Sequence, residues 1–424
     1  MLRYSNSMSD RTANPRNVSG STDPKDKPST TGQGSGTGAK IADRATQAVK
    51  KLLSGGLPAD VPKEVRTAHM VRLLVTVVGV FLVGTVGVWA ANKLRLNASN
   101  CAALDVVYDE SPPLSSLNPD GAQGGYLLRD YYIKTAYNCC ASGSFKNDFV
   151  NVCALKKCIS QGARCLDFEI YDVGGVPVVG VSTVDSNNVK ECYNSVPFEE
   201  AMQTVANEGF SSASTACAQD PLILHFRIMT AHKEILDQIA ETLYRTLESR
   251  MLGNKYSYEN YGHNLGAVCI DKLRGKVIIV VDKSNPLLAN TSLDEYTNMC
   301  SNAMQMRALR YSQVKYSHDV HELTEFNKQH MTIVLPDLGA TPDNPSSPLA
   351  MAYGCQLVGM CFQNFDSNME YNALFFDSAG SAFSLKPEHL RFVPLTIPVP
   401  PKPPSSYSYA TRETTTVSGQ TFAT

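Results

Sequence analysis

Two acidic residues, Asp167 and Glu169, lie one position apart in the apolar stretch RCLDFEIY. This stretch is followed by a turn and then by a second apolar run, VPVVGVS, which contains no histidine. Carboxylate oxygens at about 2.3 to 2.6 Å are ligands that calcium prefers, but the ion needs several of them. The question these residues raise is whether the two carboxylates form a metal site or are the remains of one.

Other groups of ligand-type residues lack a metal-binding pattern. The stretch SHDVHE carries His318, Asp319, His321 and Glu322 without a regular ligand spacing, and we interpret it as a solvated loop or the start of a helix. No CxxC pair is matched by a second CxxC or by an HxxxH pair, which argues against a zinc site.

The cysteines are distributed unevenly along the chain. All 12 lie at or beyond Cys101, and the first 100 residues contain none. An even number of cysteines confined to one side of an apolar segment predicts an oxidising compartment on that side, with several disulfides. The alternative is a set of buried free thiols, because free cysteine packs like a small hydrophobic residue.

The apolar segment itself runs from Leu73 to Ala91, nineteen residues without a charge. At a rise of about 1.5 Å per residue, a helix of this length is close to the roughly 30 Å hydrocarbon core of a bilayer. Trp89 near one end, with Arg72, Lys93 and Arg95 beside the two ends, is typical of interfacial anchoring. The sequence therefore predicts one transmembrane helix.

Basic residues on the two sides of this segment indicate its orientation. Five precede it between residues 50 and 72, and two, Lys93 and Arg95, follow it closely. The positive-inside rule predicts a single-pass type II protein, with the N-terminus in the cytosol and the cysteine-rich part lumenal or external. Two sequons on that side, at Asn97 and Asn290, are compatible with glycosylation.

Both ends of the chain are polar. Residues 1–68 begin with a segment rich in Ser, Thr, Gly and Pro, which we expect to be disordered up to about residue 40. From Ile41, IADRATQAVKKLL predicts a short amphipathic helix. Residues 396–424 are rich in Pro, Ser and Thr and are predicted to be extended and mostly unstructured.

Between these ends, composition and pattern indicate a globular α/β domain. Hydrophobic residues make up 43% of the chain, and a net charge of -2 without a long basic stripe excludes nucleic acid as a partner. Seven or eight strands separated by helices over about 300 residues predict a TIM-type β/α barrel, although a doubly wound sheet has the same pattern. The predicted strands are DYYIKTAY, RCLDFEIY, VPVVGVS, PLILHFRI, KVIIVVDK, MTIVLP and QLVGMCFQ, and the predicted helices are FVNVCALKKCIS, PFEEAMQTVANEG and HKEILDQIAETLYRTLESRML.

Several of these stretches resemble the catalytic regions of eukaryotic-type phosphoinositide-specific phospholipase C (PLC). GARCLDFEIYD followed by VPVV is similar to the family's X region, where two acidic residues precede a Tyr-Asp step, here Tyr171 and Asp172. PLILHFRI and LRGKVIIV resemble its PVILSLEN and LRGKILIK strands. The stretch from Tyr353 to Arg391 resembles its Y region, with a Gly-Cys-Gln helix end, a strand into Phe-Gln and a closing LKP. The resemblance implies a PLC-like phosphodiesterase barrel over residues 100–395.

The resemblance also implies the internal boundaries of the barrel. They are an X-like part at about 130–283, a linker at about 284–330 and a Y-like part at about 331–391. We interpret KSNPLLANTSLDEYTNMC, at the start of the linker, as an ordinary surface connection. Since no counterpart of the family's pleckstrin-homology, EF-hand or C2 modules is visible, membrane attachment is expected to fall to the transmembrane helix.

The family's two catalytic histidines have no counterpart here. The first belongs to the motif SHNTYL, which resembles TAYNCC, so that Asn138 is kept but the histidine position is Tyr137. The second belongs to YHGHT after the PVV strand, where this sequence has Thr183. The family uses these histidines when the inositol 2-hydroxyl attacks phosphorus, and a fold does not carry its chemistry without the site residues.

The family's calcium ligands are only partly present. Asp167 and Glu169 occupy the two central acidic positions with the acid types interchanged, while the final glutamate position is Arg227. Since a guanidinium supplies no oxygen ligand, we predict that Arg227 pairs with both carboxylates and takes the place of calcium. If calcium binds nonetheless, Asn138, Asp167 and Glu169 are its expected ligands.

The contacts to substrate phosphate are missing as well. The family's two lysines align with Val280 and Asp282, and its Y-region arginine falls near Ala340, so phosphate positioning and charge neutralisation are both lost. Two histidines near the Arg227 strand, His225 and His232, are candidates for a recruited base.

The sequence therefore predicts a membrane-anchored PLC-like protein whose barrel is catalytically inactive, needs no cofactor and serves in binding or scaffolding, with a phospholipid or a protein as partner. Two alternatives stay open. One is an active phosphoric diester hydrolase that uses calcium and a rearranged site around Asp167, Glu169 and His225. The other is a structural membrane protein of a membrane-containing particle.

Overall fold

A long apolar helix precedes the sheet. Helix α1, Lys63–Val107, has 45 residues and contains the whole predicted transmembrane segment. Many of its apolar side chains are exposed, and the exposed fraction of Phe81 is 69%. The helix is long and apolar enough to cross a membrane. The predicted span thus lies within a helix that continues beyond it in both directions.

The computed structural model describes residues 47, 62–185, 188–257, 264–394, 398, 401–402, 407 and 411–423. The chain divides into two units, Met1–Val86 and Gly87–Thr424. The segment predicted to be disordered lies outside the described residues. So does the amphipathic helix predicted from Ile41, apart from the helical Gln47.

Strands and helices alternate along the second unit. The strands are β1 Tyr131–Ala136, β2 Cys165–Val173, β3 Val176–Gly180, β4 Val196–Pro197, β5 Leu222–Met229, β6 Val277–Asp282, β7 Met299–Ser301, β8 Met306–Arg310, β9 Met331–Leu335, β10 Leu357–Met360, β11 Phe383–Leu385, β12 Glu413–Thr415 and β13 Thr421–Ala423. The helices that follow α1 are α2 Val152–Ser160, α3 Phe198–Glu208, α4 Lys233–Leu247, α5 Ser292–Tyr296, α6 Tyr311–Lys315, α7 Val320–Gln329, α8 Ser347–Ala352 and α9 Ser367–Ala379.

Eight parallel strands form a nearly closed barrel. Their order around the sheet is β7, β6, β5, β2, β1, β10, β9 and β8. The pairing of β10 with β1 joins the two halves of the ring, which is interrupted between β7 and β8. On the outside of this path, β11 pairs with β1, and β3 joins β2 to β4 in an antiparallel extension. The predicted TIM-type barrel is confirmed, and the doubly wound alternative is wrong.

The apolar runs of the sequence become strands that are buried on both faces. β1 and β9 are buried along their whole length, and β2, β5 and β6 are less than fully buried only at their carboxyl ends. Helices cover the outside of the ring, which explains why these runs are almost continuously apolar. Between the sheet and α3, Phe226 packs against Phe168 and Phe198 with ring centroids 5.8 and 5.6 Å apart.

Polar side chains at the helix ends set where the helices begin. Asn151 caps α2 by accepting a hydrogen bond from the backbone of Cys153, and Asp319 caps α7 in the same way. The SHDVHE stretch is therefore a helix start, one of the two structures predicted for it. Helix α9 ends at Gly380, whose φ of 66° is accessible to glycine at little cost.

The carboxyl-terminal part of α1 belongs to the second unit and runs along α2. Its contacts follow one another in the order Lys93–Asn147, Asn97–Asn151, Cys101–Cys153 and Asp105–Lys157. Helix α2 starts beyond the carboxyl end of β1, at the barrel mouth. The chain therefore enters the barrel unit on the side where the parallel strands have their carboxyl ends.

The cysteines form fewer disulfides than predicted. Cys101 and Cys153 are joined, and the other ten cysteines are free thiols, nine of them buried. The prediction of several disulfides is wrong because most cysteines lie on strands and helices with their side chains in the core, where they pack as small hydrophobic residues. The alternative of buried free thiols describes all but this one pair.

Two stretches contain more regular structure than predicted. The connection KSNPLLANTSLDEYTNMC includes helix α5 and the first residues of β7, a barrel strand too short to show a pattern in the sequence. In the polar tail, β12 and β13 form an antiparallel hairpin. A short strand gives too few alternating positions for sequence reasoning to detect it.

The single disulfide should contribute measurably to the stability of the barrel. It closes a loop with a sequence separation of 52, which restricts the unfolded chain. We expect Cys153→Ser to lower the free energy of unfolding by about 2–4 kcal/mol, measured by chemical denaturation of the full chain in detergent. The control is Cys269→Ser, at a half-buried free thiol, which should change this free energy by no more than about 0.5 kcal/mol. Equal stability of Cys153→Ser and wild type would contradict this account.

Candidate functional site

The central site residues lie on two neighbouring barrel strands. In the parallel ladder between β2 and β5, Asp167 is the register partner of His225, and Glu169 is the partner of Arg227. Side chains at positions i and i+2 of a strand share a face. The intervening Phe168 faces the helices, so these four polar side chains point into the barrel. All four are buried, with exposed fractions of 0 to 2%.

The guanidinium of Arg227 binds both carboxylates. Nε and Nη2 donate to the two oxygens of Asp167 at 3.0 and 2.7 Å, and Nη1 donates to Glu169 Oε1 at 2.6 Å. Nη2 also donates to Asn138 Oδ1 at 2.8 Å. The two parallel bonds to Asp167 form the bidentate geometry in which arginine binds carboxylates most strongly. The structure therefore contains the pairing that the sequence predicts for Arg227.

Each oxygen of Asp167 has two polar partners. Besides Arg227, Oδ1 lies 2.6 Å from His225 Nδ1, and Oδ2 accepts a hydrogen bond from the backbone N–H of Asn138 at 3.1 Å. Asn138 has a positive φ of 45°, a conformation that asparagine tolerates better than most residues. This backbone turn lets the main chain and the side chain of Asn138 reach the same network.

Each oxygen of Glu169 also has two partners. Oε1 accepts from Asn138 Nδ2 at 3.3 Å in addition to Arg227, and Oε2 accepts from the Tyr171 hydroxyl and the Ser182 N–H, both at 2.8 Å. Sequence reasoning missed Tyr171 and Ser182. Tyr171 was detectable, because it lies two positions after Glu169 and therefore on the same face of β2. Ser182 acts through its backbone and left no signal.

This arrangement does not fit a calcium ion. All four carboxylate oxygens of Asp167 and Glu169 are occupied by hydrogen-bond partners, and a guanidinium lies against them. Calcium would need these same oxygens at about 2.3 to 2.6 Å. It would also be repelled by the charge of Arg227.

The pKa values of the network reflect its charge balance. Burial alone would raise the pKa of Asp167, but attraction by Arg227 and the hydrogen bonds from His225 and Arg227 outweigh burial and hold this pKa well below its usual range. Burial would lower the pKa of Arg227, but Asp167, Tyr137 and Glu169 raise it well above its usual value. Asp167 and Arg227 are therefore both charged at neutral pH.

The positions of the family histidines hold side chains with other contacts. The Tyr137 ring lies 4.7 Å from the Arg227 guanidinium, and burial raises the pKa of this tyrosine to about 12. Its hydroxyl accepts a hydrogen bond from Arg310 Nη1 at 3.1 Å. Thr183 donates its backbone N–H to Glu191 Oε2 at 2.8 Å and bonds the same oxygen through its hydroxyl. Thr183 thus binds to a neighbouring loop residue.

His225 connects the network to β7, two strands away in the sheet. Its Nε2 lies 2.9 Å from Ser301 Oγ, and with Asp167 the three residues follow the Asp-His-Ser order of a hydrolase triad. His225 and Ser301 are both fully buried, and both ring nitrogens of His225 already have partners. In this arrangement the three buried residues link strands β2, β5 and β7. Ser301 lies on the short strand β7, which explains why the sequence did not reveal it.

The remaining predicted positions lie apart from the network. Val280 is buried in β6, and Ala340 is exposed in a loop. His232, the second candidate base, has an exposed side chain and lies 2.5 Å from Asp172 through its Nδ1. Asp282 borders a cleft at the barrel mouth.

That cleft has a volume of about 630 Å³ and opens at the carboxyl ends of the strands. Arg227 reaches it from the network, and Arg310 and Asp185 form part of its wall. Much of the remaining wall is uncharged and able to form hydrogen bonds. It includes Asn188, Thr230, Ser284, Asn285, Asn302 and Gln313.

Comparison with known proteins agrees with this architecture. The family described as phosphatidylinositol-specific phospholipase C, Y domain, matches residues 281–389. The match includes the whole stretch at 284–330 that we interpret as the linker. No curated protein sequence matches the chain.

Two solved structures align with this chain at TM-scores just above 0.5. PLC21 from S. officinalis aligns with a TM-score of 0.52 and 18% identity, and PLC21 from L. pealei with 0.51 and 19%. Each alignment covers 65% of this chain and 39% of the PLC21 chain, so this chain spans well under half the length of those proteins. A calcium-dependent phosphoinositol-specific phospholipase C from Pseudomonas sp. aligns at 15% identity with a TM-score of 0.39, covering 65% of this chain and 99% of that one.

The chain therefore has a nearly closed parallel barrel with the fold seen in solved phospholipase C structures. Its second half, residues 281–389, matches the Y domain of phosphatidylinositol-specific phospholipase C. The resemblance predicted from the sequence is confirmed.

Removing the central cation should destabilise the barrel. Arg227→Met leaves Asp167 and Glu169 buried without a counter-charge, so we expect the free energy of unfolding to fall by about 3–5 kcal/mol. The matched control is Arg307→Met, which breaks a partly exposed bidentate pair with Glu322 and should cost no more than about 1 kcal/mol. Chemical denaturation measures both changes. If the two variants lost similar amounts of unfolding free energy, burial of the Arg227 network would not explain its contribution to stability.

The network should also make stability depend on acid pH. Because the folded-state pKa of Asp167 is lowered, its contribution is present above the unfolded pKa of about 3.9 and is lost as pH falls toward the folded-state value. This group alone should lower the unfolding free energy by roughly 1.4 kcal/mol per pH unit below about pH 4. The triple variant Asp167→Asn, Glu169→Gln, Arg227→Met should lose less stability between pH 5 and pH 3 than wild type. If wild type and the triple variant lost the same stability in acid, Asp167 would not be the group that causes the acid dependence.

Proposed function

We propose that this protein is a catalytically inactive PLC-like barrel, anchored in a membrane by one helix, that acts by binding at the membrane surface. The observation that carries this proposal is the position of Arg227. Its guanidinium makes the contacts that a cation between Asp167 and Glu169 would make. The carboxylates are neutralised from within the chain and hold no metal.

The surroundings of the cleft support the absence of catalysis. Phosphodiester cleavage needs a base within hydrogen-bond reach of a nucleophile, and a positioned acid or base contributes on the order of 10²- to 10⁴-fold in rate. His225 is buried with both ring nitrogens engaged, and Tyr137, with its raised pKa of about 12, is protonated at neutral pH. The active-hydrolase alternative requires His225 to leave this network.

The membrane part of the proposal is based on α1. Its apolar stretch ends at Ala91, and Lys93 already donates a hydrogen bond to the loop that follows β1. This helix is long and apolar enough to cross a bilayer, and its apolar stretch is the proposed anchor. With the positive-inside bias, the proposed topology is type II, with a lumenal or external barrel. The proposed partner is a lipid of this bilayer.

Calcium titration and turnover test this function together. For the full chain in detergent, we expect calorimetry to show no calcium heat and an assay with phosphatidylinositol micelles to show no cleavage. Arg227→Glu should create calcium affinity, because it replaces the guanidinium with a third carboxylate among oxygen donors. Arg307→Glu, the same change at a surface pair, should create none.

Calcium binding by wild type would refute the proposed role of Arg227. Turnover would refute inactivity, and His225→Gln would then show whether that histidine is the base.

A further inference from the structure

Arg310 at the end of β8 is held differently from Arg227. One edge of its guanidinium is fixed by the barrel, since Nη1 donates to the Tyr137 hydroxyl at 3.1 Å and to the Pro336 carbonyl at 2.6 Å. The other edge binds the carboxylate of Asp185, with Nε donating to Oδ2 at 3.1 Å and Nη2 donating to Oδ1. Arg310 therefore presents a two-donor edge to the cleft.

Asp185 is the exposed partner in this contact. The exposed fraction of its side chain is 46%, against 13% for Arg310. Its Oδ1 also lies 3.9 Å from Arg227 Nη1, so two guanidinium groups face one loop carboxylate at the cleft wall. Arg227 is already matched by Asp167 and Glu169. Asp185 therefore serves mainly as the counter-charge of Arg310 and contributes less to neutralising Arg227.

Because nearly half of the Asp185 side chain is exposed, water screens this ion pair and weakens it. A ligand anion of similar geometry can therefore replace Asp185 at little cost. The arginine fork binds carboxylate and phosphate oxygens in the same bidentate manner, so the edge that holds Asp185 also fits a phosphate group. Around it, the side chains of Asn188 and Gln313 line the same cleft and offer amide groups to a polar ligand body.

We propose that the Nε and Nη2 edge of Arg310 is a binding position for the phosphate monoester group of a ligand, and that Asp185 is an internal competitor which occupies it. This inference rests on the proposed binding function and assigns a ligand chemistry to the same cleft. Arg310 binds the phosphate group, and Asp185 lowers the affinity for the ligand because it competes for the same edge of Arg310. The phosphate group belongs either to a lipid headgroup or to a soluble phosphate ester.

The experiment uses the full chain in an uncharged detergent, with calorimetry in two arms. One arm titrates glycerol 1-phosphate, a soluble monoester, and the other titrates mixed micelles containing phosphatidic acid, with phosphatidylcholine as the lipid that lacks a monoester. Binding in the first arm identifies a soluble ester as a sufficient ligand. Binding confined to phosphatidic acid identifies the lipid headgroup.

In whichever arm binds, Asp185→Asn should tighten binding by about 2- to 5-fold, because it removes a competitor of surface ion-pair strength. Arg310→Lys keeps the charge but loses the fork, and it should weaken binding by at least about 5-fold. Asp282→Asn is the matched control, because it removes one negative charge from the same cleft at a residue whose side chain holds Asn302 rather than Arg310. It should change affinity by less than about 2-fold.

Three results would overturn the inference. They are no binding in either arm by wild type and Asp185→Asn, equal tightening by Asp185→Asn and Asp282→Asn, or unchanged affinity in Arg310→Lys at unchanged thermal stability. None of them depends on calcium binding or turnover, so a failure here is distinguishable from a failure of the proposed function.

Discussion

The buried contact between Arg227 and the two carboxylates of β2 is the interaction on which the rest of the site depends. Two carboxylates buried side by side repel each other and lose their hydration, so a barrel with Asp167 and Glu169 in its interior needs a positive charge there. The ladder register places residue 227 beside residue 169, so the neighbouring strand can supply that charge. Arginine suits this position better than lysine, because its planar fork serves both carboxylates and the Asn138 amide at once.

A cation that belongs to the protein differs chemically from a metal ion. A metal ion exchanges with solvent, keeps coordination positions for substrate and polarises a phosphoryl oxygen as a Lewis acid. The guanidinium of Arg227 is fixed, and the oxygens that it binds are saturated by further donors from Asn138, Tyr171 and Ser182. Under the proposed function, the contact that stabilises the buried carboxylates without a metal therefore also takes the place of the electrophile. In the function proposed here, stability and the loss of chemistry have one cause.

The sequence predicts the parts of the site that lie on long strands and misses the parts that depend on barrel closure. The pairing of Arg227 was predictable because β2 and β5 are buried apolar runs with ionisable residues at alternate positions. Ser301 was not, because its three-residue strand takes its place only when the ring nearly closes. The number of disulfides was overestimated for a related reason. A cysteine count gives no information about which side chains meet, and that depends on how helices such as α1 pack on the barrel.

The charges around the cleft fall into a fixed group and an exchangeable group. The Arg227 network is buried and saturated, so a ligand that displaced it would have to compensate for two desolvated carboxylates. The Arg310–Asp185 pair lies at the cleft wall with one partner in solvent, and the exchange of Asp185 for a ligand anion is nearly balanced in free energy. Affinity is then a small difference between two similar ion pairs. Selectivity under these conditions has to come from the uncharged groups around Arg310, which distinguish ligands by shape and hydrogen bonding, and net charge contributes little to it.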